Sequence, residues 1–258
     1  MMATGDIRRR LARGQVSIGS WVTFRDPAAA EILAAAGYDW LAVDMEHSSL
    51  GIESASSLIR TISLCGVCPL VRLPSNDAVM AKRVMDAGAW GVIVPMVNTA
   101  EEARAAFESV KYPPRGRRGV GMHRAQGYGT TFDAYVTTAN RDSLVIVQIE
   151  HIRAVENIEE ILAVPGVDGF IVGPYDLSGS MGIPGKLTHP KVEAALRRVL
   201  AASKASKVPA GIHIVRPSAL DLRRRLAQGF RLIAYGVDFL FLGDSCRDGL
   251  KQARREAR

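Results

Sequence analysis

Short apolar runs alternate with longer amphipathic stretches from one end of the chain to the other. Runs of strand length lie at 16–22, 39–44, 67–73, 90–95, 143–149, 169–173, 208–214 and 230–235. Segments with helical spacing of apolar residues follow at 27–36, 53–64, 77–87, 99–110, 153–162, 190–204, 218–228 and from about 237. Local punctuation agrees with these bounds. Gly37 and Gly88 stand where helices should end, Asp77 and Thr99 where N-caps should stand, and Glu102 in the capping-box position. Strands that are apolar on both faces belong to a sheet covered on both sides. Eight such strand–helix units in 258 residues predict a closed (β/α)₈ TIM barrel of the α/β class, one domain over 1–258. The alternative is an open doubly wound sheet. It would usually place a glycine-rich phosphate turn after its first strand, and GSWVTFRDP is not one. One long irregular stretch, Lys111–Phe132, with the sequence YPPRGRRGVGMHRAQGYGTTF after Lys111, reads as a functional loop.

Composition narrows the class. Hydrophobic residues make up 48% and charged residues 23%, which excludes disorder as a description of the whole chain. No apolar run approaches the ~18–20 residues needed to span a bilayer. Lys and Arg exceed Asp and Glu by 33 to 26, a net +7. The excess sits near both ends and at 223–225, interleaved with acids and without a nucleic-acid-binding motif, so no nucleic-acid partner is expected. Three cysteines, an odd and sparse set, and no signal-peptide pattern lead us to expect a reducing, cytoplasmic setting. Cys65-Gly66-Val67-Cys68 has redox spacing but falls at a helix-to-strand junction, away from the expected site.

Barrel enzymes build their sites at the C-terminal ends of the strands. Those ends carry Asp44-Met45-Glu46-His47, Val71-Arg72, Pro95, Gln148-Ile149-Glu150 and Gly173-Pro174-Tyr175-Asp176. Singly, each polar residue has an ordinary reading: Asp44 and Asp176 as helix caps, Arg72 in a rim salt bridge, Glu150 paired with Arg153 or His151, His47 as a structural histidine. Together, one histidine, one arginine, carboxylates and a glutamine at one rim are hard to explain as independent caps. Carboxylates with amide or carbonyl oxygens suit a hard divalent cation such as Mg²⁺ or Mn²⁺. A cation beside an arginine is a clamp for an α-keto acid and the enolate formed from it, with a histidine to move the proton. No lysine ends strands five to seven, which argues against Schiff-base chemistry.

Several stretches are more specific: AEILAAAGYDWLAVDMEH (30–47), PLVRLPSND (69–77), VMDAGAWGVIVPMV (84–97), YPPRGRRGVG (112–121), VQIEHIRAVENIEEIL (147–162) and VDGFIVGPYDLSGSMG (167–182). Through them the chain resembles the HpcH/HpaI family of class II, metal-dependent pyruvate aldolases. The resemblance implies reversible cleavage of a 4-hydroxy-2-oxo acid to pyruvate and an aldehyde, with Mg²⁺, Mn²⁺ or Co²⁺. It implies a homohexamer, a trimer of dimers, with the last helix exchanged between subunits. Residue by residue, it makes Glu150 and Asp176 the metal ligands. Arg72 holds the pyruvate oxygen, and His47 is the acid–base group, oriented by Asp86. Asp44, Gln148 and Gly173 line the substrate pocket, and backbone N–H groups around Tyr175 and Asp176 hold the carboxylate. Three features depart from the family pattern: GPYDLS in place of GPADLS, a shorter loop after Gly121, and His213 where an apolar residue is commoner. The loop departure suggests that Arg124 and Tyr128 select the aldehyde. Two other functions compete: a citrate-synthase-like condensation of oxaloacetate with an acyl-CoA, and a non-catalytic basic binding protein.

Overall fold

The computed structural model describes residues 4–257. Eight parallel strands close in sequence order: β1 (Ser17–Val22), β2 (Trp40–Asp44), β3 (Cys68–Arg72), β4 (Gly91–Val94), β5 (Leu144–Ile149), β6 (Gly169–Val172), β7 (Ala210–Ile214) and β8 (Leu232–Val237), with β8 pairing back onto β1. Around them run α1 (Thr4–Ala12), α2 (Pro27–Ala35), α3 (Ile52–Leu64), α4 (Ala78–Asp86), α5 (Ala100–Val110), α6 (Phe132–Asp142), α7 (Ile152–Glu156), α8 (Ile158–Leu162), α9 (Pro174–Ser180), α10 (Pro190–Ser206), α11 (Ala219–Gln228) and α12 (Asp238–Glu256). The expected barrel is therefore present. No described helix is long and apolar enough to cross a membrane.

The period-two geometry of strands sorts the core into two clusters. Val22, Leu41, Val43, Val71, Val92, Val147 and Val172 face outward into the layer beneath the helices. Trp21, Trp40, Ala42, Cys68, Leu70, Ile93, Ile146, Ile171 and Ala234 fill the barrel interior. Trp21 and Trp40 meet edge to face with centroids 6.4 Å apart. Trp40 lies across Gly19, where a Cβ would fall 2.0 Å from the indole ring, so only glycine fits there. The same parity, continued past the apolar layers, brings Asp44, Arg72, Gln148 and His213 to the top of the interior.

Three elements differ from the sequence expectations. The stretch at 153–162 is two helices, broken at Asn157, whose side-chain amide donates to the Asn98 carbonyl at 2.8 Å. Glu102 accepts from the Asn98 N–H at 2.5 Å, one residue beyond the capping-box position, while Thr99 caps the Glu102 N–H as expected. Beyond 111–132, which holds a short 3₁₀ turn at Arg124–Gly129, α6 continues to the start of β5. Asp238, at the start of α12, accepts from the N–H groups of Thr23 and Phe24 at 2.6 and 2.8 Å, tying the last helix to the end of β1.

Candidate active site

A cavity of about 320 Å³ opens at the C-terminal mouth of the barrel. Asp44, His47, Arg72, Gln148, Gly173, Tyr175 and Asp176 all line it. Asp44 and Arg72 are register partners at the ends of β2 and β3. That pairing lets their side chains form a fork: Arg72 Nε donates to Asp44 Oδ1 at 2.9 Å, and Nη2 to Oδ2 at 2.5 Å. Both residues are buried. Asp44 Oδ1 also accepts from the N–H groups of Glu46 and His47, so one carboxylate fixes both the arginine and the turn that carries the histidine. Burial opposes its ionisation, but Arg72 and these N–H donors together hold the carboxyl below its ordinary range. Arg72 also stacks on the Trp21 ring at 4.4 Å.

Glu46 has a different environment. Its Oε2 lies 3.2 Å from Arg72 Nη1 and 3.8 Å from His47 Nε2, yet it is buried without a hydrogen-bond partner among the described residues. Burial pushes its carboxyl up to about 7; Arg72 opposes this, while Glu150, Asp44 and Asp176 add to it. Glu150 is also buried, and burial with the nearby Asp176 charge raises it despite donors from Gln148 Nε2 and the Met96 N–H. His47 stands at the rim with 58% of its side chain exposed, and Asp176 is exposed in the first turn of α9.

These residues fit a divalent cation. Asp176 and Gln148 line the cavity, buried Glu150 lies directly behind Gln148, whose Nε2 donates to it, all three offer oxygens, and Gln148 Oε1 is buried and unpaired. Gly173 leaves the space that the Glu150 carboxylate occupies, since a Cβ there would stand 2.7 Å from Oε2. Mutual repulsion among the carboxylates is what a positive charge between them would relieve. Glu150 and Asp176 are a pair, and no cluster of three His, Cys, Asp or Glu side chains with metal-site geometry occurs among the described residues. Backbone, amide or water oxygens would complete a shell.

Asp86 is not brought to His47. It ends α4 and pairs with Arg118 at 2.6 Å, whose guanidinium is wholly buried against the Tyr112 ring and the Tyr135 hydroxyl. Among the described residues no hydrogen bond or ion pair joins Asp86 to His47. The 112–132 loop lies on the same side: His123 Nδ1 is 3.2 Å from the Asp86 carbonyl, and Arg124 donates to the Ala87 carbonyl. None of its residues, Arg124 and Tyr128 included, lines the cavity within one chain. The loop is pinned by buried Gln126, which donates to Tyr112 and accepts from the His123 N–H. Cys65, Cys68 and Cys246 are free, and burial raises the Cys68 thiol, so the Cys65–Cys68 spacing forms no redox pair. Sequence reasoning named Glu46 as part of the second strand's end but gave it no role. Its position between Arg72 and His47 depends on a turn geometry that spacing does not reveal.

The model of the HpcH/HpaI aldolase/citrate lyase family matches residues 17–243. A 5-keto-4-deoxy-D-glucarate aldolase from Shigella dysenteriae serotype 1 is 39% identical over 229 residues, 88% of each chain. Among solved structures, an HpcH/HpaI aldolase/citrate lyase family protein from Burkholderia cenocepacia J2315 superposes with a TM-score of 0.91 at 38% identity, covering 96% of this chain and 98% of that one. Citrate synthase SbnG superposes with a TM-score of 0.87 at 26% identity, covering 97% and 98%.

Proposed function

The chain belongs to the HpcH/HpaI aldolase/citrate lyase family, and from that premise we propose how its cavity cleaves a 4-hydroxy-2-oxo acid to pyruvate and an aldehyde. The protein is a metal-dependent carbon–carbon lyase of the aldolase type. Glu150 and Asp176 would hold the cation, with Mg²⁺ or Mn²⁺ the best match to an all-oxygen donor set and Co²⁺ a further candidate. Bound there, a divalent cation supplies Lewis-acid polarisation of the 2-oxo group.

The residues of the chain do the rest. Arg72, buried and held by the Asp44 fork, presents a fixed positive charge to the 2-oxo oxygen, where negative charge develops. His47 takes the proton from the 4-hydroxyl. The C3–C4 bond then breaks, its electron pair enters the enolate of pyruvate, and C4 leaves as the aldehyde. Returning a proton to C3 completes pyruvate. The turn fixed by Asp44 sets the position of His47, and N–H groups around Tyr175 and Asp176 hold the substrate carboxylate. The single observation that carries this reading is Arg72: one buried arginine, doubly fixed by Asp44, in a cavity that Gln148 and Asp176 also line.

The citrate-synthase reading rests on a likeness at 26% identity, against 39% for the sugar-acid aldolase. Product analysis with 2-oxo-3-deoxy acids decides between them: aldol cleavage to pyruvate supports the proposal, and acyl-CoA-dependent citrate formation replaces it. Oligomerisation belongs to the same proposal. Within one chain, α12 packs against β1 and β8 at its start and leaves Leu242 and Leu250 more than half exposed. We infer that it is exchanged in a homohexamer, a trimer of dimers. An orienting action of Asp86 on His47 is then available only between copies of the chain. A monomeric mass in solution for the active enzyme would overturn both statements.

A further inference from the structure

One polar atom in the cavity wall has no task in the mechanism above. His213 lies on the inward face of β7, and its half-buried ring lines the cavity with Trp21, which it meets at a tilted angle with centroids 5.5 Å apart. Its Nε2 is buried and has no hydrogen-bond partner among the described residues. The backbone of Gly236 engages the ring, which leaves Nδ1 as the committed nitrogen. Burial, with Arg72 nearby, pulls the imidazole down to about 3, so it is neutral at working pH. A neutral imidazole whose Nδ1–H is committed to a carbonyl presents Nε2 as an acceptor and nothing else. An acceptor buried without a donor is unfavourable, so the site is completed by whatever donor the cavity receives. Trp21 Nε1, on the same wall, is also buried and unpaired, and it is a donor. A hydroxyl group satisfies both polarities, whereas a methylene satisfies neither.

We propose that His213 is a specificity-determining residue of this aldolase, accepting a hydrogen bond at Nε2 from a hydroxyl on the aldehyde half of the substrate. The proposal rests on the aldolase reading and deepens it. The acceptor half is a hydroxyaldehyde, and the cleaved compound is a polyhydroxylated 2-oxo acid rather than an alkyl one. Packing among apolar neighbours does not explain a buried nitrogen left unpaired in the wall of the cavity.

The test compares lactaldehyde with propionaldehyde, which differ by one hydroxyl, as condensation partners of pyruvate with Mg²⁺. The readout is the ratio of their kcat/KM values for wild type, His213→Leu and His213→Gln. The leucine variant is expected to lower the ratio about tenfold, the size of one lost buried hydrogen bond, while glutamine, which keeps an acceptor, retains most of it. His213→Met, close in volume, makes the same comparison if the leucine variant does not accumulate. A ratio unchanged in the apolar variants overturns the proposal and leaves an ordered water as the partner of Nε2. Wild-type enzyme with Mg²⁺ that neither condenses pyruvate nor exchanges its methyl protons overturns the aldolase reading itself, and this inference with it.

Discussion

The two mouths of the barrel carry similar charges and use them in opposite ways. At the N-terminal mouth, α1 lies across the opening with Ile7 and Leu11 packed onto the interior cluster. Each acid there has a full set of partners. Asp39 accepts from Arg10 and from the Ile18 N–H, both at 2.9 Å. Asp168 accepts from Arg8 at 2.9 Å and from the Val145 N–H at 2.8 Å. Every one of these bonds joins a strand start to α1 or to its neighbour, so the charges serve as joinery. At the C-terminal mouth, Asp44 and Asp238 are saturated. Glu46, Glu150 and Asp176 crowd one arginine, and Glu46 Oε2, Gln148 Oε1 and His213 Nε2 are buried without partners. Charges that stabilise the fold are satisfied in the resting molecule. Those left incomplete identify the end where a ligand finishes the structure.

Mutations should separate the two mouths sharply. The largest effect is expected from Glu150→Ala, which removes a buried anionic donor: turnover should fall at least about a thousandfold in steady-state assays, the scale of losing an electrostatic stabiliser. Because the Met96 N–H and Gln148 Nε2 lose their acceptor in this variant, turnover is compared per folded molecule. His47→Ala should cost roughly 10²–10⁴-fold in kcat, the range for a positioned acid–base group, with pyruvate affinity retained. An unchanged rate would move proton transfer to another residue.

A subtler contrast lies in pH. Glu46 has its folded carboxyl raised from 4.5 to about 7, so the folded state holds its proton longer than the unfolded chain does. The sign follows: stability associated with Glu46 is fully present below about pH 4.5 and is lost as pH rises to about 7. Melting temperature measured over this window on metal-free protein should decline, and Glu46→Gln should flatten that decline. Added Mg²⁺ should flatten it too, because a cation among the carboxylates favours the ionised form. A Glu46→Gln profile parallel to wild type would show that Glu46 does not titrate in this window.

The smallest effect belongs to the closed mouth. Arg8→Ala should cost about 1 kcal/mol of stability, as expected for a partly exposed ion pair with added backbone bonds, and leave turnover per folded molecule unchanged. A loss of turnover there would mean that the two mouths are coupled.

The same contrast explains what the sequence reveals. Strands buried on both faces write themselves as apolar runs, so the eight-fold repeat and the strand-end residues Asp44, Arg72 and Gln148 are legible from period and position alone. The helices with weak apolar signals are not. α1 (TGDIRRRLA) shows only Ile7 and Leu11 as an apolar pair, and α6 (FDAYVTTANRD) has one buried residue, Ala139, amid threonines and polar groups. The break at Asn157 depends on a tertiary hydrogen bond to Asn98. At the site, the resemblance supplied Asp86, which within one chain pairs with Arg118. Glu46 and His213 matter through what they lack, and an absent hydrogen-bond partner leaves no mark in a sequence.

The open mouth, completed by a divalent cation, would stabilise the enolate of pyruvate. Exchange of the pyruvate methyl protons with deuterated water, followed by proton NMR, reads that step without any aldehyde. Exchange should require added Mg²⁺ or Mn²⁺, cease with chelator, and fall by orders of magnitude in Glu150→Ala and in Arg72→Ala. Exchange that continues undiminished in verified metal-free enzyme, or in the Arg72→Ala variant, would contradict it.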